Sequence, residues 1–258
     1  MNYGIKLMPT YWACVSGGKD SLFMLKLILS NPKKYPLNGV VHYELEIDYP
    51  FIKNVIDYMQ SECEKFGIPF LRIKPRESWE NLYNRYGFPT RIARWCNSEY
   101  KLDAAKQLDY FMKKNGKYVI NYIGFCVDEE IRHKKRNNEF EKFPLVENNI
   151  KESTILKWAR EQDIFNNFYL TNNRCGCMYC PISSMLNYAY LYKYYPENFT
   201  YMIKKMRETE IKRSKELNRS FSVISSDFRY DSRYLEKIIK TKWIHKLNDL
   251  EVERMCES

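Results

Sequence analysis

Hydrophobic and polar positions change period in blocks along the first two thirds of the chain. "TYWACVS", Thr10 to Ser16, is an apolar run suited to a strand buried on both faces, and "DSLFMLKLILS" after it has helical spacing. "GVVHYEL", Gly39 to Leu45, predicts a second strand, followed by a helix from Pro50 to Lys65. "IPFLRIK", Ile68 to Lys74, predicts a third strand, and after helical material to Lys114, "KYVINYIGF", Lys117 to Phe125, a fourth. "FPLVE", Phe143 to Glu147, reads as a short fifth strand, and "ESTILKWAREQD" as a helix that Glu152 or Ser153 caps. Strands alternating with helices predict an α/β fold, a parallel sheet with helices on both faces, whose ligands collect beyond the carboxyl ends of the strands. Near Asn166 the pattern gives way to a cysteine cluster and mostly helical, Tyr- and Lys-rich sequence. The expected division is an α/β domain over 1–165 and a helical, cysteine-bearing region over 166–258.

At 258 residues, 45% hydrophobic and 29% charged, the composition is that of a globular protein, with an aromatic content raised to 16% by 22 tyrosines. The start, "MNYGIKLMPTYWAC", has no basic segment leading into a long apolar run, and no later stretch reaches the length of a membrane span. A cytoplasmic protein with no membrane partner is expected. In that setting eight cysteines are thiols or ligands of a metal or cluster rather than a disulfide framework. A formal charge of +10, with a local cluster at "RHKKR", Arg132 to Arg136, suits anionic partners and equally a solvated basic surface.

"VSGGKDSLF", Val15 to Phe23, lies at the first strand-to-helix junction. Glycines without Cβ let the backbone approach a ligand, and amides at a helix N-terminus favour an anion, so the stretch reads as a phosphate grip. The common phosphate loop GxxxxGKS or GxxxxGKT is absent, since Lys19 directly follows the glycine pair. SGGKDS instead resembles the pyrophosphate loop, or PP-loop, of the adenine-nucleotide alpha-hydrolase superfamily. The resemblance implies that Ser16, Gly17, Gly18, Lys19, Asp20 and Ser21 surround the phosphates of ATP or an adenylyl sulfate. Lys19 would neutralise charge; Asp20 would cap the helix or hold magnesium when ATP is bound.

Further along, "TRIARWCNSEYKLDAAKQL" resembles a segment of the phosphoadenosine phosphosulfate (PAPS) reductase family in which a cysteine precedes a lysine, here Cys96 and Lys101. "IGFCVDEEIRHKKR" is similar to that family's motif of glycine, arginine, an acidic pair, serine and arginine. Gly124, Asp128 and Glu129 match it, while Cys126 replaces the arginine and Glu130 the serine. "FPLVENNIKESTILKWAREQDI" resembles the proline, leucine and helix that come next in the same family. The likeness runs in pieces from Tyr11 to Ser184, and implies that Lys101, Gly124, Asp128 and Glu129 also serve the nucleotide.

"RCGCMYCP" sets Cys175, Cys177 and Cys180 within six positions, a density suited to a metal or cluster. In family members that reduce adenylyl sulfate, a cysteine matching Cys96 joins a later CxxC pair around a four-iron, four-sulfur cluster. The resemblance therefore implies Cys96, Cys177 and Cys180 as ligands, with Cys175 replacing a second cysteine whose place is taken by Asn97. Thiolates suit zinc as well. Cys14, in a buried strand, reads as core packing, and His42, His133 and His245 as structural or surface residues. Cys256, in the tail "ERMCES", stands near the family's C-terminal catalytic cysteine but lacks the following glycine and terminal histidine.

The leading expectation is an enzyme of sulfur transfer in which Lys19 and Asp20 assist attack of an acceptor on the α-phosphate of ATP. DNA or transfer RNA is the possible acceptor, and a sulfur-donor or thiol-reductant protein a further partner. An assimilatory reductase using Cys256 to release sulfite is the second expectation. A zinc-stabilised nucleotide- or nucleic-acid-binding module without turnover is the third.

Overall fold

The computed structural model describes residues 7–136, 138–216 and 230–256, without the side chains at 133, 255 and 256. The chain divides into two compact units, one of residues 1–45, 50–76 and 101–166, the other of 46–49, 77–100 and 167–258.

The first unit is built on five strands: β1 (Met8–Val15), β2 (Gly39–Tyr43), β3 (Phe70–Ile73), β4 (Lys117–Tyr122) and β5 (Glu141–Lys142). Their order is β3-β2-β1-β4-β5, and every neighbouring pair is parallel. β1 is central, with Trp12 opposite Gly39 on β2 and opposite Asn121 on β4. The order reverses between β1 and β4, so the loops leaving these two strands flank a crevice at the carboxyl edge, where open α/β sheets bind ligands.

Period-two alternation on β1 sends Trp12 and Cys14 to one face and Ala13 and Val15 to the other. On the first face the helix Leu102–Lys114 buries Leu108 and Met112 against Trp12, Val41 and Val119. On the other lie α1 (Lys19–Ser30) and α2 (Pro50–Lys65), with the helix Glu152–Arg160 beside α1. Phe23 of α1 meets Trp158 of that helix edge-on, with ring centroids 5.2 Å apart.

Two expectations are corrected in this unit. The fifth strand is Glu141–Lys142, and Pro144–Glu147 of "FPLVE" is a helical turn. Pro144 has no N–H for a sheet ladder, whereas its fixed φ suits a first helical turn. The helix beginning at Glu152 has Lys151 at its N-cap position and no cap from its own side chains. The Asp128 carboxylate serves instead, accepting from the Glu152 N–H at 3.0 and 3.2 Å.

The second unit is helical and uses the tyrosines as core. Tyr49 packs on Phe168, Tyr190 and Tyr195, and Trp79 on Phe88, Trp95, Tyr100 and Tyr179. Ser78, Ser184 and Asp231 cap helices here, each side chain accepting from the backbone N–H three residues on. Among the described residues no helix is long and apolar enough to cross a membrane.

Candidate functional site

The loop between β1 and α1 is shaped by its glycines and serines. Gly17 sits at φ +75°, and a Cβ there would come within 2.6 Å of Ile52 on α2, so the turn excludes side chains on steric and conformational grounds. Gly18 is the N-cap residue of α1, extended at φ −81° and ψ 163°, with no side-chain cap. Asp20 therefore does not cap this helix, correcting one of its two expected roles. Ser21 ties the loop together: its hydroxyl donates to the Gly18 carbonyl at 2.9 Å and accepts from the Ser16 N–H at 3.2 Å.

Lys19 points inward. Its side chain is fully buried, and its ammonium donates to both Asp20 oxygens, at 2.8 and 3.0 Å, and to Glu152 Oε1 at 3.3 Å. One buried cation thus meets two carboxylates, an arrangement sustained only by close pairing. Burial raises the Asp20 pKa from its ordinary value against the opposing pull of Lys19, and the Glu152 and Glu129 charges raise it further.

The segment after β4 forms the wall of this loop. Gly124 lies so close that a Cβ would stand 3.0 Å from the Asp20 carbonyl oxygen and 3.3 Å from the Ser21 nitrogen. The buried Cys126 thiol donates to Asp20 Oδ1 at 3.7 Å, and burial followed by the Asp20 charge pushes its pKa up. Glu129, also buried, accepts from the Cys126 N–H at 3.2 Å and pairs with Arg132, whose guanidinium lies over the Phe125 ring. Gly124 packs on the loop backbone, Asp128 caps the helix whose Glu152 meets Lys19, and Glu129 accepts from Cys126, whose thiol reaches Asp20. Lys101 is half-buried at the end of the π-helical turn Cys96–Lys101, in the same unit as the loop. Glu152, read from sequence only as a cap, proves to be a carboxylate partner of Lys19; no local pattern identifies it, because the pairing spans 133 positions.

The expected ligand cysteines all belong to the second unit, and all four are thiols. Cys177 and Cys180 share one tight turn, in which the Cys180 N–H donates to the Cys177 carbonyl at 3.3 Å. Cys96 is buried between Trp95 and Tyr100 in sequence, and both of these rings pack on Trp79, as does Tyr179 beside Cys180. The two cysteine segments therefore meet around Trp79. The Met178 N–H, between Cys177 and Cys180, donates to the Ile47 carbonyl at 2.8 Å, and burial raises the Tyr49 pKa well above its ordinary value. The donor set fits a thiolate-bound cluster in chemical type. Among the described residues, no three or more His, Cys, Asp or Glu side chains are placed to hold a metal ion as they stand.

Other expected residues fall elsewhere. Cys14 is half-buried, its thiol donates to Asn121 Oδ1 at 3.1 Å, and burial pushes its pKa up to about 12. His42 is buried with Nδ1 3.0 Å from the Val15 carbonyl, and burial lowers its pKa; His245 is exposed. The His133 side chain lies outside the described residues. Cys256 ends the helix Ile244–Cys256, and its side chain too lies outside them.

No family model matches the chain. An uncharacterized protein of Methanocaldococcus jannaschii is 29% identical over 195 residues, covering 71% of this chain and 44% of that protein, so the chain spans less than half of the relative's length. Among solved structures, the U34-tRNA thiolase NcsA from Methanococcus maripaludis with its four-iron, four-sulfur cluster is similar at a TM-score of 0.40 and 17% identity. That match covers 92% of this chain and 74% of that one, a likeness too slight to assign residues.

Proposed function

We propose that the chain is a PP-loop enzyme of the PAPS reductase family that binds ATP or an adenylyl sulfate at Ser16–Ser21 and acts in sulfur transfer. The observation that carries this reading is the loop's construction at the sheet's switch point. A left-handed Gly17 packed on Ile52, an uncapped Gly18 opening α1 and Gly124 packed against the Asp20 and Ser21 backbone set the N-terminus of α1 at that edge, where a phosphate would meet it.

With ATP, an oxygen of the acceptor forms a bond to the α-phosphorus as the bond to the bridging oxygen breaks, and pyrophosphate leaves with that electron pair. The amides of the loop and the Lys19 ammonium stabilise the charge on the leaving phosphates. Asp20, beside Lys19, is the carboxylate available to a magnesium ion accompanying ATP. The adenylated acceptor is then open to a sulfur nucleophile, which displaces AMP. The net charge of +10 supports a nucleic acid, DNA or tRNA, as that acceptor. Cys96, Cys175, Cys177 and Cys180 would hold the four-iron, four-sulfur cluster, which when bound supplies a place to carry sulfur.

The test offers anaerobically purified protein ATP, a nucleic-acid acceptor and a sulfide source, and in parallel adenylyl sulfates with a reducing thiol protein. Acceptor-dependent pyrophosphate release that survives Cys256→Ser supports the proposal. Sulfite release by the wild type, abolished in Cys256→Ser, overturns it in favour of a reductase.

A further inference from the structure

We infer that Glu152 is a positioning residue for the phosphate loop, whose carboxylate competes with the ligand's phosphates for the Lys19 ammonium. The inference rests on the reading of Ser16–Ser21 as the phosphate loop and adds a residue outside it.

Lys19 is fully buried and has two carboxylates within hydrogen-bond distance, of which Asp20 is its chain neighbour and holds it with both oxygens. Glu152 arrives from another helix and holds it with one, at 3.3 Å. Its place is fixed from two sides. Asp128 accepts from the Glu152 N–H and pins the start of that helix, while Phe23 and Trp158 lock the helix against α1, which carries Lys19. The pair is therefore a built contact between rigid elements rather than a passing surface bridge.

Its consequence is electrostatic. Two carboxylates on the Lys19 ammonium set negative charge immediately beside a loop that is to accept polyanionic phosphates. Lys19 can serve a phosphate only to the extent that it loosens from Glu152, because the bond it gives up is charge-assisted and its ammonium is buried. Asp20 is the chain neighbour of Lys19 and moves with the loop, whereas Glu152 is fixed on another helix, so Glu152 is the partner whose hold is set against the ligand. On the same wall the Cys126 thiol donates to Asp20, and the Glu129 carboxylate is already paired with Arg132.

The experiment titrates wild type, Glu152→Gln, Lys19→Met and the double variant with ATP plus magnesium, and separately with adenosine 5′-phosphosulfate, by calorimetry. Circular dichroism and urea midpoints check the fold. Glu152→Gln is expected to bind about tenfold tighter than wild type, the size of one charge-assisted hydrogen bond, and Lys19→Met about tenfold weaker. In the Lys19→Met background the gain from Glu152→Gln should shrink to about threefold or less, since a structural role or a general charge effect would leave it unchanged. Glu152→Asp, which keeps the charge but draws it back, is expected to gain about threefold and serves if the Gln variant does not fold. Affinity in the glutamate variants at or below wild type, or an undiminished gain without Lys19, overturns the inference alone. No wild-type affinity for either ligand, or full affinity in Lys19→Met, overturns the phosphate-loop reading beneath it.

Discussion

Replacing Gly17 by alanine separates the two adjacent glycines by what each does. Gly17 holds φ +75°, where an L-residue pays about 1–2 kcal/mol of backbone energy. The new Cβ would stand 2.6 Å from Ile52 Cγ2 and 3.3 Å from its Cδ1, and Ile52 is itself buried, so α2 must shift. Overpacking of this kind costs about 1–3 kcal/mol, giving a loss of roughly 2–5 kcal/mol in all. For the whole chain that corresponds to a fall in Tm of roughly 4–20 °C. Gly18, at φ −81°, occupies a region open to any residue, and alanine there should cost no more than about 1 kcal/mol through the weaker N-cap. Urea and thermal unfolding followed by circular dichroism measure both. A Gly17→Ala variant within 1 kcal/mol of wild type, or a Gly18→Ala variant as damaged as Gly17→Ala, would refute the steric account of the loop.

Two further expectations can be checked on the same preparations. Protein purified without oxygen should be brown and contain iron and sulfide, with serine at Cys96, Cys175, Cys177 or Cys180 lowering the iron; zinc as the sole metal would contradict this. Buried Cys63 on α2 has its pKa pushed up to about 12, chiefly by burial and then by Glu62 and Glu64. The folded state thus binds that proton more tightly than the unfolded one, so the stabilisation is full below pH 9 and is lost as pH rises towards 12. Unfolding free energy should fall by up to about 1.4 kcal/mol per pH unit from this thiol in that window, and more shallowly in Cys63→Ser; equal slopes would refute it.

The sheet was legible where local pattern and tertiary demand agree. "TYWACVS" and "DSLFMLKLILS" mark β1 and α1 within two residues, and Pro50 to Lys65 is one helix with the bounds its periodicity implies. "FPLVE" misleads because a short apolar run does not distinguish a strand from a helical turn, and the proline was the informative residue. The glycine loop could be read because its chemistry is contiguous. Glu152 and the capping by Asp128 could not, since each depends on a partner far along the chain. The segments 46–49 and 77–100, which join the second unit, are likewise placed by aromatic packing on Tyr49 and Trp79 that no short-range pattern announces.

The central claim is that Ser16–Ser21 grips phosphate through backbone that a side chain would block. Gly18→Val tests it most directly, because its backbone conformation tolerates valine and leaves Gly17 and Lys19 in place. Calorimetric titration with ATP and with adenosine 5′-phosphosulfate should show binding to wild type by at least one of them and its loss in Gly18→Val, with the unfolding midpoint nearly unchanged. Equal affinity of wild type and variant for both ligands would contradict the claim.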